Sequence, residues 1–161
     1  MKILGIDTAT KVAGVGIVDE TGVLAESWLN TGKTHSQRLL PLLDNLLKTA
    51  DISWDDIYGL AVTIGPGSFT GLRIGIATVQ GLAQVLDKPV QGIVSLDALA
   101  ENLTGVPGLI CPILDARKNE VYTALYRYQD NQIERLSSYR ALAPEVLLKE
   151  LIPLEERVTF L

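Results

Sequence analysis

The chain has 161 residues, 47% of them hydrophobic and 20% charged, and a formal net charge of −5. A chain of this size buries roughly 68–70% of its unfolded surface, enough for one or two small domains without staples. The acidic balance argues against a stand-alone nucleic-acid binder, which needs clustered Lys and Arg. The single cysteine, Cys111, excludes an internal disulfide and fits a reducing compartment.

The chain enters a strand pattern at once, over Lys2 to Asp7, so no signal peptide is expected. Lys11 to Asp19 and Gly22 to Asn30 read as two further strands joined by a turn at Glu20-Thr21-Gly22. On the first of these, both the Val12/Gly14/Gly16/Val18 face and the Ala13/Val15/Ile17 face are apolar, which predicts cover on both sides. Thr34 to Ala50 reads as a helix with Leu39, Leu42, Leu43 and Leu46 in one stripe, widened by Leu40 and Leu47. Pro41 either starts its regular part or kinks it. Ser53 with Asp56 is a capping-box pattern for a short helical turn.

Tyr58 to Ile64 reads as a buried strand, Gly65-Pro66-Gly67 as a sharp corner, and Phe69 to Leu86 as a long helix. Pro89 to Val94 is another strand, and Ser95 is expected to cap a helix through about Asn102. Gly105-Val106-Pro107-Gly108 is the best boundary signal, which divides the chain into 1–104 and 105–161. Beyond it, Leu109 to Leu114, Asn119 to Tyr128 and Gln132 to Tyr139 read as strands. Pro144 to Leu151 reads as a helix with proline at its first position. Val158 to Leu161 begins an apolar strand at which the sequence ends, so the second part is read as an incomplete lobe of a longer protein. The apolar runs are too interrupted for a membrane span.

The run Gly65-Pro66-Gly67-Ser68-Phe69-Thr70-Gly71-Leu72-Arg73 follows a strand and opens a helix, where free N–H groups can hold an anion. It matches neither a Walker loop, which ends in lysine, nor a dinucleotide loop, because its third glycine comes one residue late. Arg73 either holds an anion in the corner or pairs with a carboxylate, and the lack of other basic groups in the loop favours pairing. Asp7 and Thr8 after the first strand fit either a magnesium–phosphate site or a tight turn held by their side chains. Asp115 is a possible counterpart of Asp7, or part of a plain surface turn. Asp55 and Asp56 read as caps of the short helical turn.

His35, the only histidine, reads as a capping or surface residue, and Cys111 as an inert core thiol without a partner base. The residues therefore supply no catalytic group and no metal site. Each interior glycine of the second helix, Gly71, Gly75 and Gly81, costs about 0.8–1.0 kcal/mol relative to alanine, so another backbone is expected close by. Together with the leucine stripe this predicts a helical partner interface of Leu39, Leu42, Leu43, Leu46, Gly71, Leu72, Arg73, Gly75, Thr78 and Val79.

Strand, hairpin, helix, strand, helix and a partial repeat resemble the ribonuclease-H-like lobes of the actin/Hsp70/sugar-kinase superfamily. The expected fold is therefore an α/β lobe with a mixed five-stranded sheet, followed by a partial second lobe. Leu4-Gly5-Ile6-Asp7-Thr8-Ala9-Thr10, His35-Ser36 with Leu39-Leu40-Pro41, and the Gly65–Gly75 string together resemble the bacterial TsaB (YeaZ) family, once filed with glycoprotease-like M22 peptidases. Ser95 and Leu99 stand where the catalytic paralogue TsaD carries a His-x-x-x-His metal pair, so the resemblance is to the non-catalytic member. It implies a cytoplasmic scaffold for a TsaD-type enzyme that threonylcarbamoylates the adenosine beside the tRNA anticodon. A TsaE-type ATPase would join the assembly, the chain alone would form a homodimer, and tRNA would be met only through the complex. ATP and metal would belong to the partners, with no cofactor in the isolated chain. Asp7, Thr8 and Asp115 remain nucleotide candidates under the rival expectation of a sugar-kinase-type ATP-dependent phosphotransferase using Asp7 and Asp115.

Overall fold

The computed structural model describes residues 1–30 and 35–161, and in the second stretch the side chains from 37 onward. The expected helix start at Thr34 and the His35 side chain thus lie outside the described residues. The chain divides into two compact units, Met1–Ile93 and Val94–Leu161. The division falls before 104/105 because the helix Ser95–Glu101 packs Leu96 and Ala100 onto Ile110, Ala124 and Tyr126 of the second unit.

In the first unit, strands β1 (Lys2–Asp7), β2 (Ala13–Asp19), β3 (Gly22–Leu29), β4 (Ile57–Gly65) and β5 (Val90–Val94) form one sheet in the order β3-β2-β1-β4-β5. β1 runs antiparallel to β2 and parallel to β4, so the sheet is mixed and five-stranded, as expected. Helices α1 (His35–Ala50) and α2 (Phe69–Leu86) belong to the same unit. Leu39, Leu42, Leu43, Leu46 and Leu47 of α1 are buried in one cluster with Leu4, Ile6, Val15, Ile17, Leu60 and Val62 of the sheet. Leu40, expected to widen that stripe, is half-exposed, and Pro41 sits on the exposed side of a continuous helix.

The opposite sheet face departs from the expectation of cover on both sides. Val18 is 39% and Trp28 63% exposed, and a Cβ added at Gly14 would meet nothing within 4 Å. The face reads as apolar because its residues are small, not because they are packed. The Ser53/Asp56 capping box is present around a single 3-10 turn, Trp54–Asp56.

The second unit holds α3 (Ser95–Glu101), strands β6 (Leu109–Cys111), β7 (Ile113–Arg117), β8 (Glu120–Thr123), β9 (Tyr126–Gln129), β10 (Gln132–Arg135), β11 (Arg140–Leu142), helix α4 (Pro144–Leu151) and β12 (Val158–Phe160). They form a four-stranded sheet, β10-β9-β6-β12, and a three-stranded sheet, β11-β8-β7. The strands expected over 109–114 and 119–128 are therefore each split in two, and the one expected over 132–139 ends at Arg135, with β11 starting beyond it at Arg140. Pro112 has no N–H for the ladder. Leu125 N–H donates to the Ser137 hydroxyl at 2.9 Å instead of to a neighbouring strand. Ser95 does not cap α3: Val94 occupies that position, and the Ser95 hydroxyl is buried without a hydrogen-bond partner among the described residues.

Tyr126 is 1% exposed, and its hydroxyl donates to Asp97 Oδ1 at 2.7 Å. Burial first, and then the Asp97 hydrogen bond, pushes its phenol well above the ordinary value, and Tyr139 shifts in the same direction for the same reasons. Both phenols hold their protons more tightly folded than unfolded. Their contribution to stability is therefore intact below about pH 10 and is lost as pH rises through the folded values. Urea unfolding between about pH 8 and pH 11 should show stability falling above about pH 10. The fall should be shallower in Tyr126→Phe, which has one phenol fewer to titrate.

Candidate functional site

The site predicted from the glycine run lies where β1 ends, β4 ends and α2 begins. Asp7 closes β1, and its Oδ1 accepts hydrogen bonds from the Thr63 hydroxyl at 2.7 Å and from Ala9 N–H at 2.8 Å. Thr8 is fully buried, and its hydroxyl donates to the Gly71 carbonyl at 2.8 Å. Ser68 N–H donates to the Ala9 carbonyl at 2.6 Å, and Ser68 Oγ accepts from Gly71 N–H at 3.3 Å as the N-cap of α2. Two of the N–H groups at the helix start, those of Ser68 and Gly71, are thus engaged by the chain's own Ala9 carbonyl and Ser68 hydroxyl.

Three glycines make this contact possible. A Cβ at Gly67 would stand 2.5 Å from the Ala9 carbonyl oxygen. One at Gly71 would collide with the Thr8 carbonyl, and one at Gly75 with the Thr8 hydroxyl. Spaced four apart, Gly67, Gly71 and Gly75 form the strip along which the β1–β2 connection lies against the helix. The close neighbour that Gly71 and Gly75 admit is therefore the chain's own Thr8, by its backbone at Gly71 and its side chain at Gly75. The same packing involves several residues of the expected partner interface. Gly71, Gly75 and Val79 of α2 are buried within the unit. Leu39, Leu42, Leu43 and Leu46 belong to its core, where helix and sheet already use them. Leu72 and Thr78 are half-buried, and Arg73 is exposed.

The outward side of α2 has a different composition. Phe69, Arg73, Ala77, Gly81 and Val85, spaced four apart, are all exposed, Phe69 by 63% and Val85 by 83%. Arg73 lies over the Phe69 ring, its guanidinium carbon 3.9 Å from the centroid, in place of the expected carboxylate partner. A Cβ at Gly81 would meet nothing within 4 Å, so this glycine has no internal explanation. Sequence reasoning missed Thr63 as the partner of Asp7, since only the parallel pairing of β1 and β4 brings them together. The four-residue glycine spacing was the available signal for the internal contact.

The remaining candidates are dispersed. Asp115 Oδ1 accepts Arg117 N–H at 2.7 Å in a turn whose residues Arg117, Lys118 and Asn119 are left-handed, and it belongs to the second unit. One Asp7 oxygen and the Thr8 hydroxyl are committed to internal bonds. On α3, Ser95 contributes a buried hydroxyl and Leu99 only hydrocarbon. Cys111 is buried, with Sγ 3.2 Å from the Thr123 hydroxyl oxygen, and burial pushes its thiol pKa up, which makes it a core residue.

The family model for tRNA N6-adenosine threonylcarbamoyltransferase, TsaD, matches residues 22–157. The solved structure titled YeaZ from Pseudomonas aeruginosa is 34% identical with a TM-score of 0.81, over 89% of this chain and 68% of that one. The chain belongs to the TsaD/TsaB family, on its TsaB (YeaZ) side. Proteins named tRNA threonylcarbamoyladenosine biosynthesis protein TsaB are 40% identical in Bacillus subtilis and 39% identical in Escherichia coli, over 84% and 91% of this chain. The chain spans 59% and 64% of the length of these two TsaB relatives. Component A of an (R)-2-hydroxyglutaryl-CoA dehydratase from Acidaminococcus fermentans, 12% identical with a TM-score of 0.56, shares the fold alone.

Two neighbouring glycines of α2 are expected to respond in opposite directions. Gly75→Ala should destabilise the chain by about 1–3 kcal/mol, because its methyl displaces the buried Thr8 hydroxyl. Gly81→Ala should stabilise it by up to about 1 kcal/mol, the helix-propensity gain at an open site. Urea unfolding of the two variants beside the parent chain measures both.

Proposed function

We propose that this chain is a non-catalytic scaffold subunit of tRNA threonylcarbamoyladenosine biosynthesis that binds and supports a TsaD-type threonylcarbamoyltransferase. The observation that carries the proposal is the outward stripe of α2, Phe69, Arg73, Ala77, Gly81 and Val85. It joins an aromatic ring, a stacked guanidinium and a glycine with open space above it, on a helix fixed from behind by Thr8. Small residues flanked by larger ones let a second helix approach closely. The expected interface thus moves from the buried face of α2 to its exposed face.

In this reading, chemistry, ATP and metal reside in the partner subunits, including a TsaE-type ATPase. The chain alone pairs with a second copy through the same stripe, and tRNA is met only through the complex. The setting is the cytoplasm. No described helix is long and apolar enough to cross a membrane. The names of the TsaB relatives support the pathway. The committed hydrogen bonds of Asp7 and Thr8 weigh against the phosphotransferase alternative.

Affinity-tagged chain should co-purify with the TsaD-like protein of the same organism. Ala77→Glu and Gly81→Trp should abolish the complex while leaving circular dichroism and Tm near those of the parent chain. Folded variants that still bind would place the interface elsewhere. Saturable one-site binding of magnesium-ATP, lost in Asp7→Asn, would favour the phosphotransferase.

A further inference from the structure

The two split strands of the second unit break at one level. Ile110 pairs with Tyr126 on one side of the break, and Ile113 with Thr123 on the other. Residues 111–112 therefore lie opposite 124–125, with no change of register. The third strand is different. Arg135 pairs with Tyr126, but Arg140 pairs with Thr123, so four residues, 136–139, face the two at 124–125. The two extra residues make the connection from β10 to β11 a strap that swings off the sheet.

Contacts at both ends hold this strap. Leu136 N–H donates to the Leu125 carbonyl at 2.7 Å, and Ser137 Oγ accepts Leu125 N–H at 2.9 Å. At its far end the Tyr139 hydroxyl reaches the Asp97 carboxylate of α3, 2.9 Å from Oδ1 and 2.7 Å from Oδ2. Arg135 covers the Tyr139 ring, its guanidinium carbon 4.2 Å from the centroid, and donates to the Ser137 carbonyl at 2.9 Å. Asp97 also accepts the Tyr126 hydroxyl, so one carboxylate ties two phenols to one helix.

The two ties differ in burial. Tyr126 is 1% exposed, whereas Tyr139 is 42% exposed. Parting Tyr126 from Asp97 would strand a hydroxyl in the core. Parting Tyr139 gives up its bond to the carboxylate but returns the hydroxyl to water, so no buried group is left unpartnered. We propose that residues 136–139 are a releasable strap. Asp97 latches it through Tyr139, and its release frees the strap and its pairing with Leu125 while Tyr126 keeps α3 seated on the four-stranded sheet.

Amide hydrogen exchange on the full chain tests this, with Tyr139→Phe as the variant that removes only the latch hydroxyl. Exchange in peptides covering 120–125 and 136–142 is expected to rise about tenfold or more, as the loss of a hydrogen bond to a charged group produces. Peptides covering 95–101, 109–111 and 126–129 keep their parent rates, and Tm changes little. Tyr126→Phe, in contrast, raises exchange in 95–101. Unchanged exchange at 136–142 in Tyr139→Phe would overturn the proposal. So would a rise that reaches 95–101 and 109–111 equally, because the tyrosine would then support the whole unit.

Discussion

The Thr8–Ala9 backbone lies against the first two turns of α2 with no room between them for a Cβ. Much else in the first unit depends on that contact. It buries the Thr8 hydroxyl, which must then find an acceptor and takes the Gly71 carbonyl. It places the Ala9 carbonyl at the helix start, where Ser68 N–H meets it. Asp7, one residue back, turns to Thr63 and to Ala9 N–H and so ties the ends of two parallel neighbouring strands. A close backbone approach, admitted only by glycine, sets where α2 sits and which of its sides faces outward.

That contact also explains why a string resembling a phosphate loop does different work here. A helix N-terminus offers unpaired N–H groups and a partial positive charge. In this chain a carbonyl and a serine hydroxyl supply the negative ends of two dipoles at that place. The hydroxyl and one carboxylate oxygen that would face a phosphate are turned inward. What remains exposed on the helix is a ring, a guanidinium, small residues and a valine.

The second unit is governed by a different constraint, the passage of three strands from one sheet into another. Proline removes one ladder donor, a serine hydroxyl captures another, and two additional residues absorb the change of register on the third strand. Asp97 collects the consequence, since the looped-out segment carries Tyr139 back to α3. Without the register shift, the carboxylate would have only Tyr126 to hold.

The sequence by itself determined the strands and helices of the first unit nearly residue by residue, and the family through the Gly65–Gly75 string. These signals are local: periodicity, caps and turn residues act within a few positions of one another. It also pointed to a backbone close to the glycines of α2, which holds at Gly71 and not at Gly81. It did not show which one, and it counted the core stripes of α1 and α2 as spare surface. Only the tertiary structure decided those questions. Burial depends on what the sheet brings opposite each face, and the parallel pairing of β1 with β4 is a contact between residues more than fifty positions apart. The split strands of the second unit were hidden for the same reason. A strand's pattern does not reveal where its partners change, and a carboxylate on one helix shows nothing of two tyrosines that arrive 29 and 42 residues later.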